Sequence, residues 1–281
     1  MPSVALAYEH CRGIARDSGS SFYAGMRLLP PERRSALFAV YALARRIDDI
    51  ADGALPPHEK LTALGTVRES LRQLDDADDP VSIALADAAH RFPIPLEAFD
   101  DLVDGAELDA RGARYETFAE LERYCRCVAG SIGRLSLGVF DCTDRERGSL
   151  LADDLGVGLQ IGNVLRDIGE DAANGRIYLP REDLERFGCE ARDGAFSGPI
   201  ELAIAFEAER GLEWIRGGLE LVPLLDRRSA SCVLAMAGKY RLLLERIAAA
   251  PALVLNGRVS LRPWEKGLVL ARSLAGSGAG T

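Results

Sequence analysis

The stretch PPERRSALFAVYALARRIDDIADG, residues 30–53, opens with prolines where a first helical turn tolerates them and closes at Gly53. Between them the apolar positions Ala36, Leu37, Ala39, Val40, Ala42, Leu43, Ala44, Ile47, Ile50 and Ala51 cover most of a helical circumference. A helix that is apolar nearly all round is a buried helix. Its last two turns nevertheless carry Asp48, Asp49 and Asp52. Asp48 and Asp52 stand four apart and share a face, with about 6 Å between β-carbons. The macrodipole disfavours negative charge at a C-terminal end by a few tenths to about 1 kcal/mol each. The cluster is therefore either an acidic end turned to solvent or a site awaiting a cation, from Arg45 and Arg46 or from a divalent metal.

The same pattern of breaker and amphipathic segment recurs along the chain. Helices are predicted over 56–74, 79–92, 95–110, about 116–140, about 143–172, about 197–222, about 227–249 and about 259–274. No alternating β-branched run persists, and RIYLP (176–180) is the nearest thing to an extended piece. The expectation is one all-α domain over 1–281 of roughly ten helices, with a flexible tail AGSGAGT at 275–281. In such folds ligands sit in a central cavity between facing helices.

Composition narrows the function classes. The 281 residues are 48% hydrophobic and 27% charged, with a formal net charge of −9 and no basic tract, which argues against a nucleic-acid partner. Any anionic substrate must then be met by local arginine or metal. The cysteines at 11, 125, 127, 142, 189 and 232 lack ligand spacing and read as reduced thiols of a cytoplasmic protein. No run approaches the roughly 18 apolar residues that span a bilayer. Peripheral contact with a membrane surface stays open.

A second acidic cluster changes the weight of the first. In NVLRDIGEDAANGRIYLP (163–180), Asn163, Asp167 and Asp171 fall at i, i+4 and i+8, with Arg166 and Glu170 on the neighbouring stripe. The preceding LLADDLGVGLQIG is again mostly apolar. Each of Gly156, Gly158 and Gly162 costs a helix up to about 1 kcal/mol, so they call for a close approach by another helix or by a ligand. Two carboxylate pairs ending apolar helices could hold two or three Mg²⁺ between them, with Mn²⁺ as an alternative. A diphosphate would complete the coordination. The matching chemistry is ionisation of an allylic diphosphate inside an apolar cavity that excludes water.

SSFYAGMRLLPPERRSALFAVYALARRIDDIAD (20–52) together with LQIGNVLRDIGEDAANGRIYLP (159–180) resembles the squalene/phytoene synthase family of head-to-head prenyl transferases. The resemblance covers most of the chain. It implies the all-α isoprenoid-synthase fold and Mg²⁺-dependent condensation of two prenyl diphosphates. By match to the family's motifs, Asp48 and Asp52 would be metal ligands on one wall, and Asn163, Asp167 and Asp171 on the other. Ser20 and Ser21 match positions beside a diphosphate. Arg45, Arg166 and Arg176 match its positive contacts, joined by Tyr240. Tyr41 and Tyr178 match cavity tyrosines that steer proton loss or hold a cation over a ring, the alternative being ordinary core tyrosines.

The C-terminal segment YRLLLERIAAAPALVLNGRVSLRPWEKGLVLARSL (240–274) looks most like bacterial presqualene diphosphate synthases of the hopanoid route. That implies farnesyl diphosphate as substrate, no NADPH, and downstream isoprenoid enzymes as partners. A phytoene synthase using geranylgeranyl diphosphate is the alternative, a cyclase on the same fold a third reading, and a non-catalytic helical binder a fourth. The chain departs from the family at Gly162, where threonine is common, at Ala44, where cysteine is, and at Ala24, where a second aromatic is. Gly162 and Ala24 bear on cavity shape.

Overall fold

The computed structural model describes residues 2–18, 21–192 and 194–276; the backbone but not the side chain of Ser21 is included. The described residues form fourteen α-helices and one two-stranded sheet. The N-terminal half holds α1 (Val4–Asp17), α2 (Ser21–Met26), α3 (Pro31–Asp52), α4 (Pro57–Arg72), α5 (Pro80–Arg91) and α6 (Ala98–Ala110). Then come α7 (Phe118–Cys125), α8 (Ser131–Val139), α9 (Arg145–Arg166), α10 (Ile168–Ala173) and α11 (Arg181–Arg186). After the sheet the chain continues as α12 (Ile200–Gly218), α13 (Arg227–Ala249) and α14 (Pro263–Ala275).

Most boundaries follow the breakers. Pro31, Pro57 and Pro80 open their helices, where a missing N–H costs nothing. Asp79, Thr117, Asp144 and Asp226 accept hydrogen bonds from first-turn amides of α5, α7, α9 and α13. Several expectations need correction, the first being the roughly ten helices, where the described residues form fourteen. The segment expected at 116–140 is α7 and α8 joined by a wide π-turn over Arg126–Gly130. The segment at 143–172 breaks at Asp167, which ends α9 and precedes α10. RIYLP is a loop, and the extended structure lies instead at β1 (Glu190–Arg192) and β2 (Ala195–Ser197), an antiparallel pair with Ala191 opposite Phe196. Ala275, expected in the tail, belongs to α14; residues 277–281 lie outside the described residues.

The core is continuous through the helices, with Ile47, Leu85, Phe99, Leu102, Ile161, Leu165 and Ile204 almost wholly enclosed. The most extensive helix pair is α9 with α12. Glycine makes that approach close: a β-carbon on Gly158 would stand 2.8 Å from the backbone nitrogen of Ile215. Gly156 meets the π-turn in the same way, its absent β-carbon 2.5 Å from the nitrogen of Gly130. Both glycines serve helix packing, and Gly156 also borders the central cavity. Among the described residues no helix is long and apolar enough to cross a membrane.

Candidate active site

A cavity of about 450 Å³ opens between α3, α6, α8, α9 and α13. Its deeper wall is apolar, with Leu37, Leu102, Ile132, Phe140, Leu155 and Leu221 among the lining residues. The polar lining includes Asp48 and Asp52 from α3, Asn163, Asp167 and Asp171 from α9–α10, and Asp109 from α6. The two sequence clusters therefore meet on one cavity. The break at Asp167 does not scatter the second stripe, because the amide of Asp167 still bonds the carbonyl of Asn163 at 3.0 Å and that of Asp171 bonds Asp167 at 2.8 Å. Glu170 is exposed and lies off the cavity, as does Asp49, which pairs with Arg45 at 2.6 Å.

The carboxylates differ in how their charge is met. Asp52 pairs with Arg176 across the cavity at 2.8 Å. Asp167 pairs with Arg166 at 2.5 Å and with Arg258 at 2.9 Å. Among the described residues no hydrogen bond or ion pair reaches the carboxylates of Asp48 or Asp171. Asp48 keeps accessible surface because it faces the cavity, yet protein surrounds it on other sides. Burial and then the nearby Asp52 push its pKa up to about 7. Burial and then Asp167 push Asp171 up to about 7 as well, against the lowering influence of Arg176. One such carboxylate stands on each wall.

No three His, Cys, Asp or Glu side chains among the described residues are placed to hold a metal by themselves. Mg²⁺ does not ask for that, since it is usually held by one or two carboxylates, with water and substrate phosphates completing the octahedron. Two unpaired carboxylates on opposite walls, each raised by burial and by other acids nearby, suit such an ion. Asn163 is also aimed: the hydroxyl of Tyr240 donates to its Oδ1 at 2.7 Å, and its own amide donates to Gln160 at 3.1 Å. Gly162 makes room for this, as the Tyr240 ring occupies the space of the absent β-carbon.

Tyr41 and Tyr178 both line the cavity. Tyr41 donates to the hydroxyl of Ser18 at 2.9 Å. Tyr178 donates to Asp109 at 2.7 Å and Tyr124 to the other oxygen of Asp109 at 2.8 Å. Tyr115, Tyr124 and Tyr178 stack on one another with centroids 5.4 to 6.2 Å apart. Burial raises the pKa of Asp109, and the two tyrosine donations oppose the rise only in part. Ser20 lies outside the described residues, as does the side chain of Ser21.

Asp109, Tyr124, Gln160 and Arg258 belong to this site without having been singled out by sequence. Asp109 offered the same sign as the other carboxylates, an acid in the last turn of an amphipathic helix. Arg258 offered none, as it comes from a loop and reaches Asp167 across 91 residues of sequence.

A family model described as squalene/phytoene synthase matches residues 15–265. A phytoene synthase of Mycobacterium tuberculosis is 47% identical over 99% of this chain and 93% of its own length. A 15-cis-phytoene synthase of Synechocystis is 33% identical over 91% and 81% respectively. Among solved structures, a dehydrosqualene synthase superposes with a TM-score of 0.86 at 25% identity, covering 99% of this chain and 98% of that one. The squalene synthase HpnC of Alicyclobacillus acidocaldarius gives 0.78 at 30% identity, over 88% and 94%. The chain belongs to the squalene/phytoene synthase family, whose members are prenyl transferases, and has that family's all-α isoprenoid-synthase fold.

Proposed function

We propose that this prenyl transferase joins two molecules of geranylgeranyl diphosphate head to head to give phytoene, in a Mg²⁺-dependent reaction that needs no NADPH. The observation that carries the chemistry is the meeting of two carboxylate clusters, Asp48/Asp52 and Asp167/Asp171, at one cavity whose far wall is apolar. The whole-chain likeness to two phytoene synthases supports the C20 substrate. It outweighs the presqualene-like look of residues 240–274, because chain length is set by a cavity drawing on α3, α6, α8, α9 and α13 together.

Asp48, Asp52, Asn163, Asp167 and Asp171 would hold the metal. Bound there, Mg²⁺ would take up negative charge developing on a departing diphosphate. The protein's own contribution is positional. Arg45, Arg166, Arg176 and Arg258 put guanidinium groups at the cavity mouth, where phosphate oxygens can compete with carboxylates for them. Leu102, Ile132, Leu155 and their neighbours exclude water from an allylic cation. Tyr41, Tyr124 and Tyr178 line the same cavity and would supply aromatic rings to that cation. Two C20 diphosphates become one C40 hydrocarbon by losing two diphosphates and two protons, so no reductant enters.

Purified protein incubated with Mg²⁺ and either geranylgeranyl or farnesyl diphosphate, without NADPH, tests this by lipid analysis. Phytoene from the C20 substrate is expected. Presqualene diphosphate from the C15 substrate, with the C20 substrate untouched, would overturn the chain-length assignment and favour the second reading, to which the structural likeness to a squalene synthase lends weight. A cyclic product from one substrate molecule, or no turnover with either, would overturn the condensation itself.

A further inference from the structure

Half of the strongly exposed large apolar side chains among the described residues fall in one short stretch, at Leu253, Leu255, Trp264, Leu268 and Leu274. Within α14 they are not scattered. Its inner face sets Val269 and Ser273 against α13, with Val269 filling the space beside Gly238. Its outer face carries a second stripe, Trp264, Gly267, Leu268, Ala271, Leu274 and Ala275, at helical spacings of three and four. All six are exposed, Trp264 at 62%, Leu268 at 40% and Leu274 at 41%. A water-facing helix has no use for a tryptophan and two leucines on its outer side.

The charge around the stripe says what would cover it. The chain is acidic, at −9, yet residues 251–276 hold Arg258, Arg262, Lys266 and Arg272 against the single acid Glu265, four cations to one anion. Glu265 is already engaged by Arg246 and by the amide of Arg262. Arg262, Lys266 and Arg272 are exposed and have no acidic group within ion-pair distance among the described residues. An apolar stripe with a tryptophan, set among cations in an otherwise anionic protein, has the make-up of an interfacial helix. A second copy docking through the same face would bring cations onto cations.

We propose that the outer face of α14 docks on an anionic lipid surface, with Trp264 and Leu268 entering the headgroup boundary and Arg262 and Arg272 meeting lipid phosphates. Docking there would seat the site as well. The inner face of α14 rests on Gly238, two residues before the Tyr240 that aims Asn163, and the loop leading into the helix carries Arg258 to Asp167. The helix thus links the surface to the cavity mouth through which lipid-like molecules must pass.

Co-sedimentation of the full chain with vesicles of phosphatidylcholine, alone or mixed with phosphatidylglycerol, tests this without reference to substrate. Binding to the anionic vesicles is expected, with a blue shift of Trp264 emission, and at least about tenfold weaker binding to neutral ones, at about 1 kcal/mol per cation. Trp264→Ser/Leu268→Ser should lose about tenfold or more in anionic binding while keeping wild-type turnover in detergent, which shows that it folds. Arg262→Glu/Arg272→Glu should abolish the preference for anionic lipid. Wild-type protein that ignores both vesicles, equal binding to both, or a double apolar variant that binds like wild type would overturn the proposal. So would a wild-type dimer that Trp264→Ser/Leu268→Ser dissolves, since a second copy would then be the occupant.

Discussion

Gly162→Ala adds one methyl group at the place where packing and the proposed metal site meet. The new β-carbon would stand 2.8 Å from Cδ1 of Tyr240, 3.5 Å from its Cε1 and 3.7 Å from Cγ of Leu244. Carbon atoms prefer about 3.5–4.0 Å, so the ring must withdraw by about 1 Å. Tyr240 is 2% exposed and packs near Phe22, which leaves it little freedom to do so. A shift of that size carries its 2.7 Å bond to Asn163 to the edge of useful hydrogen-bond range. Overpacking costs about 1–3 kcal/mol and the weakened bond about 1, against a gain of about 1 for alanine over glycine in a helix. The net loss of about 1–3 kcal/mol should lower Tm by several degrees. Asn163, no longer aimed, should need more Mg²⁺, with kcat/KM down about 10- to 100-fold. The assay is product formation titrated with Mg²⁺ for Gly162→Ala, Tyr240→Phe and the double variant, alongside thermal melts. If the loss runs through the Tyr240–Asn163 bond, Gly162→Ala adds little to Tyr240→Phe. A Gly162→Ala enzyme with wild-type Mg²⁺ dependence, or losses that multiply fully in the double variant, would refute the reasoning.

Asp171→Asn should raise the Tm of the metal-free protein, by the equivalent of about 1 kcal/mol after allowing for solvent screening, because it removes a carboxylate that burial and Asp167 disfavour. Asp52→Asn should bring no such gain, since Asp52 already pairs with Arg176 at 2.8 Å; both should lose turnover by about 100-fold or more, and equal melting shifts would count against the distinction. Glu207, 1% exposed on α12, has its pKa pushed up to about 8 from 4.5, chiefly by burial. The folded state then binds this proton more tightly than the unfolded chain, even with Arg210 at 2.6 Å, so stability should fall as pH rises between about 4.5 and about 8, by a few kcal/mol. Glu207→Gln should flatten that part of the denaturation profile; an unchanged slope would place the titration elsewhere.

The long helices from α3 onward were legible because each is amphipathic or apolar over several turns and most are bounded by proline, glycine or a capping side chain, whereas α1 and the six-residue α2 and α11 were not singled out. The hairpin was not legible: its three-residue strands alternate exposed and half-buried positions and carry no β-branched residue. The two acidic stripes were legible because i, i+4 spacing is local. The bond from Tyr178 to Asp109 spans 69 residues, and the pairing of Arg258 with Asp167 spans 91, and no local pattern reports either. Substrate length was the least legible property. The cavity wall is assembled from eight helices, and a C-terminal segment that resembles one branch of the family says little about a depth fixed mostly elsewhere.

Asp109 completes a regularity that neither stripe shows alone. Asp48 and Asp52 end α3, Asp109 ends α6, and Asp167 and Asp171 lie at the close of α9 and in α10. Helix ends at which carbonyl dipoles already point outward therefore face one cavity, and each adds carboxylates to that negative potential. The protein relieves this only in part. Arg176 reaches Asp52 and the carbonyl of Ala51, Lys60 reaches the same carbonyl at 2.6 Å, Arg166 and Arg258 reach Asp167, and two tyrosines serve Asp109. Asp48 and Asp171 receive nothing comparable, and they are the two carboxylates at this cavity whose pKa rises to about 7. Had the clusters evolved only to close helix ends against solvent, the nearby arginines would have no reason to pass over one carboxylate on each wall. Leaving that pair without an ion-pair partner costs stability in the free protein, a cost that the proposed metal, bound between both walls, would relieve.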